Sequence, residues 1–289
     1  MTIEFRDVHA SYDAATPILK GVSFRVDDGE FVAFVGTNGA GKSTTMRLVN
    51  GLLKHEKGEV LIDGEPTTRL KTIELARCVG FLFQNPDNQI CSSTVRDELL
   101  FGFKALGRLD EAAERRVDEI IDEFGFNPDD DPFLLNRGTR QLLALASIVV
   151  LDTPVIVLDE PTTGLDFREC VKVMEIIRRL HEGGTTVVMV CHDMEVVADF
   201  AARVIVMSDG HVVDEGPTFE VLRDRRTLEA ASLVPPQIVD ISLAMAFMRP
   251  ELADAPVCRA NTLDDMCDAV AQAAGAVYRG EHGMEGGAR

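Results

Sequence analysis

The stretch Phe31-Val32-Ala33-Phe34-Val35-Gly36-Thr37-Asn38-Gly39-Ala40-Gly41-Lys42-Ser43 reads as a strand, a tight loop and the start of a helix. A run of apolar residues closed by Gly36 is the pattern of a parallel strand buried on both faces. The octet from Gly36 to Ser43 satisfies G-x-x-x-x-G-K-S, and Thr44 to Leu53 read as the helix that should follow it. Glycines let the backbone wrap phosphates, while the N–H groups and the helix N-terminus supply positive potential. In such a loop Lys42 reaches the terminal phosphates, Ser43 can ligate Mg2+, and Thr37, Asn38, Gly39, Ala40, Gly41 and Thr44 complete the cradle. A plain Gly-rich turn would match the pattern without matching its context.

Further along, Val155-Ile156-Val157-Leu158 is an apolar strand that delivers Asp159 and Glu160 to its C-terminal end. Beside a phosphate loop, Asp159 is expected in the magnesium shell and Glu160 is expected to orient or deprotonate an attacking water. An Asp-Glu pair alone is a weak signal, because most such pairs are solvated. His192 also follows an apolar strand, Thr186 to Val190, where an imidazole could touch the γ-phosphate. Gln84 follows the strand Val79 to Phe83 and could reach the metal or the water, although a lone glutamine is ordinarily polar surface. Tyr12 could stack on adenine or could equally be packing. The expected ligands are therefore ATP and Mg2+.

The rest of the chain frames these elements. Ile3, Phe5 and Val8, then Val22, Phe24 and Val26, alternate with polar residues as half-buried antiparallel strands do. Val95 to Leu151 reads as mostly helical, with Leu109 to Phe124 amphipathic and charged, so a helical subdomain is expected over about residues 90–150. The fold class expected is α/β: a P-loop core with a parallel sheet, an antiparallel β subdomain, the helical subdomain and a small α-rich extension. The nucleotide-binding domain is placed at 1–225. Pro235-Pro236, Pro250 and Pro256 then break an accessory region at 226–280, with helices expected near Ile238 to Met248 and Thr262 to Ala274. A disordered tail is expected at 281–289.

Composition excludes several alternatives. A net charge of −19 disfavours nucleic-acid binding, which rests on Lys and Arg neutralising phosphates. The longest strongly apolar run, Leu142 to Leu151, is about half of the ~20 residues that a membrane-spanning helix needs. The N-terminus shows no apolar signal region, so a cytoplasmic location is expected. Six cysteines without a C-x-x-C pair argue against a zinc ribbon or a redox motif.

In this order and spacing, the motifs resemble the ATPase subunits of ABC transporters over residues 1–225. The resemblance implies roles for single residues. Tyr12 matches the adenine-stacking position, Gly36 to Ser43 the Walker A loop, Gln84 the Q-loop, Asp159 the Walker B aspartate and Glu160 the catalytic glutamate. Thr163-Gly164-Leu165-Asp166 looks like the D-loop, and His192 looks like the switch histidine. Within that family, Phe83 to Gln89, Thr94 to Glu98 with Phe101-Gly102, Asn50 to Leu53 and Leu233 to Ile238 are similar to the ATPases of energy-coupling factor (ECF) transporters, which import vitamins and transition-metal ions. That likeness implies a peripheral subunit on the cytoplasmic face of the membrane, paired with a second ATPase through its C-terminal extension. It also implies a transmembrane coupling subunit, docked near Gln84 to Gln89, and through it a substrate-binding membrane subunit.

One loop departs from the family pattern. The signature Leu-Ser-Gly-Gly-Gln here reads Leu135-Asn136-Arg137-Gly138-Thr139. In such dimers this loop closes on ATP held by the other subunit, so the change would act in trans. A heterodimer with an intact signature on the partner is the expectation, with a homodimer as the alternative. Competing readings are a nucleotide-gated clamp with weak hydrolysis and a soluble ABC-type ATPase of DNA repair or translation; a kinase or GTPase would leave Thr163 to Asp166 and His192 unexplained.

Overall fold

The computed structural model describes residues 1–12 and 16–282, with side-chain surroundings given through residue 274. The chain opens with β1 (Ile3–Ser11) and β2 (Pro17–Val26), followed by β3 (Phe31–Gly36), α1 (Lys42–Val49), β4 (Lys57–Ile62), β5 (Glu65–Pro66), α2 (Thr72–Ala76) and β6 (Val79–Leu82). Three helices come next, α3 (Val95–Leu106), α4 (Glu111–Phe124) and α5 (Arg137–Val149). Strands and helices then alternate through β7 (Val155–Asp159), α6 (Phe167–Glu182), β8 (Thr186–Val190), α7 (Met194–Phe200), β9 (Arg203–Ser208) and β10 (His211–Pro217). The chain continues with α8 (Thr218–Val221), α9 (Arg225–Ala230), α10 (Gln237–Met248), α11 (Pro256–Arg259) and α12 (Leu263–His282).

Two sheets form. One is antiparallel with strand order β2-β1-β4-β5, and the other has the order β10-β9-β3-β8-β7-β6. In the second sheet β3, β8, β7 and β6 all run parallel, in registers such as Val32 opposite Val188 and Val157 opposite Val188. Every residue of β3, β7 and β8 is buried, as continuous apolar runs require when both faces of a sheet are covered. Strand alternation divides them between two cores. Ala33, Val35, Ile156, Leu158, Val187 and Met189 face the helices α3 to α6, whereas Val32, Phe34, Val155, Val157, Val188 and Val190 face the antiparallel sheet and α1. Phe24 meets Phe34 edge-on with ring centroids 5.0 Å apart, and so joins the two sheets.

Several helix limits differ from the sequence reading. The helix expected at Thr44 to Leu53 runs Lys42–Val49, because Gly41 already supplies the loop-to-helix corner and Gly51, at φ +69°, turns the chain away. The amphipathic stretch begins at Glu111, where the Asp110 carboxylate accepts from Ala113 N at 2.9 Å. Helix α12 extends beyond Ala274 to His282. The expected tail at 281–289 thus starts on the last two residues of α12, and 283–289 lie outside the described residues.

The parallel register decides where chemistry can occur. Gly36 ends β3, Gln84 follows β6, Asp159 ends β7 and His192 follows β8, so residues scattered over 157 positions arrive at one edge of the sheet. Ligands of open α/β sheets bind at that edge, beyond the carboxyl ends of the strands.

Candidate functional site

The loop from Gly36 to Gly41 is shaped by contacts that exclude side chains. A Cβ on Gly36 would stand 1.9 Å from the Met207 carbonyl oxygen, and Gly36 sits at φ +136°, where other residues are strained. Gly41 lies at φ +102° against Leu19. Lys42, only 5% exposed, donates from Nζ to the carbonyl oxygens of Gly36 and Thr37, each at 2.8 Å. These bonds hold the loop wrapped around its own lysine. Burial pushes the Lys42 ammonium down, and the carboxylates of Glu160 and Asp159 oppose that shift.

Ser43, in the first turn of α1, donates its hydroxyl to Asp159 Oδ1 at 3.0 Å. Asp159 is 4% exposed, and burial pushes its carboxyl up from the usual aspartate range, against the Ser43 hydrogen bond, with Glu160 adding to the rise. Among the described residues no group of three or more His, Cys, Asp or Glu side chains is placed to hold a metal. A hydroxyl and one charge-starved carboxylate are nonetheless the donor set that Mg2+ takes when waters and phosphates complete its octahedron.

Glu160 is the most heavily engaged side chain at this edge. Its backbone adopts φ +54°, unusual for a non-glycine residue, while its N–H donates to Val190 O at 3.0 Å across to β8. Oε2 accepts from Gln84 Nε2 at 2.7 Å and from Thr163 Oγ1 at 2.8 Å, and Oε1 lies 2.8 Å from His192 Nε2. A carboxylate has about four lone-pair sites. Both donors fall on Oε2, and Oε1 has the close approach of His192.

Tyr12, Asn38, Gly39, Gly41, Lys42, Ser43, Thr44, Gln84, Glu160 and His192 line one cavity of about 580 Å³, together with Ile18. The cavity thus gathers residues that the sequence reading singled out in five separate segments. Tyr12 is half exposed, and its hydroxyl accepts from Arg47 Nη1 at 2.7 Å, with the guanidinium 5.8 Å from the ring centroid. Neither Arg47 nor the hydroxyl of Thr163 was assigned a role from sequence. Arg47 lies in the last turn of α1 and meets Tyr12 only because the chain folds back.

The departing loop caps α5. Asn136 Oδ1 accepts from Thr139 N at 2.8 Å, and a Cβ on Gly138 would stand 1.7 Å from Glu169 Oε1. Arg137 turns back onto its own chain, donating from Nη2 to Thr163 O at 3.3 Å. Asp166 opens α6, accepting from Glu169 N at 2.9 Å while Glu169 Oε2 accepts from Asp166 N at 3.0 Å. None of these residues lines the 580 Å³ cavity.

A family profile described as ABC transporter matches residues 19–163. An energy-coupling factor transporter ATP-binding protein EcfA of Methanothermobacter thermautotrophicus is 40% identical over 83% of this chain and 78% of its own length. An ABC transporter ATP-binding protein of Caldanaerobacter subterraneus is 41% identical over 83% of this chain, which spans 42% of that longer protein. The structure of cbiO1 from Clostridium perfringens, titled as part of the ABC transporter complex cbiONQ, superposes with a TM-score of 0.70 at 28% identity, covering 87% of this chain and 97% of its own. With its phosphate loop, paired carboxylates and sheet order, the chain belongs to the ABC transporter family as an ATP-binding and ATP-hydrolysing cassette.

Proposed function

We propose that this chain is the ATPase subunit that energises a membrane importer of the ECF type, taking up a vitamin or a transition-metal ion. The observation that carries the hydrolytic part is the Glu160 carboxylate, held by Gln84 and Thr163 on Oε2 and approached by His192 on Oε1, beside the phosphate loop. A carboxylate so fixed can accept a hydrogen bond from a water and orient it in line with a terminal phosphate. Lys42 and the loop N–H groups bind the phosphates, Tyr12 stacks on the adenine, and His192 senses the γ-phosphate. Ser43 and Asp159 would hold Mg2+, assisted by Gln84, and the ion when bound would offset charge on the phosphate oxygens.

The transport part rests on likeness to EcfA and to cbiO1. No helix among the described residues is long and apolar enough to cross a membrane, and in this reading a transmembrane coupling partner supplies the passage. A groove of about 430 Å³, with Leu52, Phe81, Phe83, Gln89 and Phe101 in its walls, offers such a partner a mostly apolar seat. The subunit would sit peripherally on the cytoplasmic face, and the region from 226 onward would serve pairing of two ATPases.

Substituting Glu160→Gln tests the first part. Hydrolysis is expected to fall by about 10²–10⁴-fold while ATP binding persists; activity close to the parent level would refute the assignment. Co-purification with a polytopic protein from detergent-solubilised membranes tests the second part, and recovery of the chain exclusively in the soluble fraction would count against transport. The departure of the signature loop at Asn136 to Thr139 is the motive for a heterodimer, in which this chain's altered loop serves a weaker partner site. Full turnover from the isolated homodimer would remove that reading.

A further inference from the structure

Arg137 is the first residue of α5, and it is exposed, yet its guanidinium is not free. Nη2 donates to the carbonyl of Thr163, and the planar group rests on Gly164, where an added Cβ would stand 2.7 Å from Cζ. Thr163 uses its other end on the site: its hydroxyl donates to Glu160 Oε2 at 2.8 Å, and its N–H donates to Glu160 O at 3.3 Å. One residue therefore joins the arginine to the carboxylate.

The base of this relay is rigid. The first turn of α5 is fixed by the Asn136 cap and pressed against Glu169 at Gly138, and Gln141 Nε2 donates to Pro161 O at 3.2 Å. The loop that it steadies turns at Gly164, which sits at φ +76°. Without Arg137, nothing on α5 grips the carbonyl of Thr163, and Oε2 of Glu160 loses a donor whenever that loop rotates.

We propose that Arg137 is a positioning residue for Glu160, acting through Thr163; the proposal rests on the reading of Glu160 as the group that orients water. Within its own subunit Arg137 lines neither the cradle nor the cavity that surrounds it, so the relay predicts an effect on rate through Glu160 and none on nucleotide binding by this subunit's own cradle. Small misplacements of a catalytic group cost up to about 100-fold in rate. Arg137→Ala is expected to lower kcat about tenfold, with the ATP affinity of the isolated chain within a factor of two. Arg137→Lys, which can still donate to the carbonyl, restores most of the loss, as does Thr163→Ser compared with Thr163→Val.

The experiment is steady-state ATP hydrolysis by the full chain, in the assembly in which the parent turns over, for Arg137→Ala, Thr163→Val and the double variant. A shared relay predicts that the double variant is no slower than Thr163→Val alone. Multiplicative losses would overturn the proposal and place the effect of Arg137 elsewhere, as would an unchanged kcat in Arg137→Ala. Glu160→Gln run in parallel separates the two failures. If it keeps full activity, the reading of Glu160 falls; if it is inactive while Arg137→Ala is normal, only the relay falls.

Discussion

Arg223→Met probes how the C-terminal extension is attached to the cassette. Arg223 follows α8 and sends its guanidinium into the extension: Nη1 donates to Ser242 Oγ at 3.0 Å, Ala260 O at 3.1 Å and Asn261 Oδ1 at 3.0 Å, and Nη2 donates to Cys258 O at 2.6 Å. All four acceptors are neutral, and three belong to residues that are 2% exposed or less, so α10, α11 and the turn before α12 are pinned by one cation. Burial lowers the guanidinium's hold on its proton without threatening its charge. Methionine keeps much of the apolar stem but removes every donor. Hydrogen bonds from a charged donor contribute about 1.5–3 kcal/mol each, and the recovered desolvation offsets part of the loss, giving a net cost of ~3 kcal/mol. At ~1.4 kcal/mol per factor of ten, that is roughly a 100-fold rise in local opening of the extension. Amide hydrogen exchange on the native chain reads this directly. Residues 237–274 should exchange about 100-fold faster, while β3, β7 and β8 stay protected as in the parent. Unchanged exchange in α10 would show that the apolar contacts of Val239 and its neighbours, and not the arginine, hold the extension in place.

Two further substitutions bear on the nucleotide site. Gly36→Ala puts a Cβ 1.9 Å from Met207 O at a φ of +136°, so the loop must move; ATP should then no longer raise the melting temperature, and a preserved ATP-dependent rise would refute the steric argument. Asp159→Asn removes a buried charge with a single hydrogen-bond donor, Ser43. The nucleotide-free protein should gain ~1 kcal/mol, or about 2–4 °C in Tm, and the magnesium dependence of ATP binding should be lost. A lower Tm in the absence of nucleotide would mean that the ionised carboxylate stabilises the fold.

Much of this site was legible because its elements are local. The strand Phe31 to Val35, the glycine spacing to Lys42 and the apolar runs before Asp159 and His192 are each contiguous, and each needs only backbone geometry and strand burial to be interpreted. The apolar run Phe31 to Val35 showed a strand buried on both faces, and the structure divides its alternate residues between two cores. Helix ends were less legible. Lys42–Val49 stops where Gly51 enters the left-handed region, and a helical pattern that continues to Leu53 does not show this.

What the sequence determined by itself was the phosphate loop, the strands that carry Asp159, Glu160 and His192, and the departure at Asn136 to Thr139. The tertiary structure alone decided what those residues touch. Gln84 lies 76 positions from Glu160, Arg137 lies 26 from Thr163, and Arg223 reaches acceptors up to 38 residues away. Such pairs have no periodicity or spacing rule. They meet because parallel strands share one edge and because α5 packs beside the loop that follows β7, and both facts depend on burying apolar surface over the whole chain.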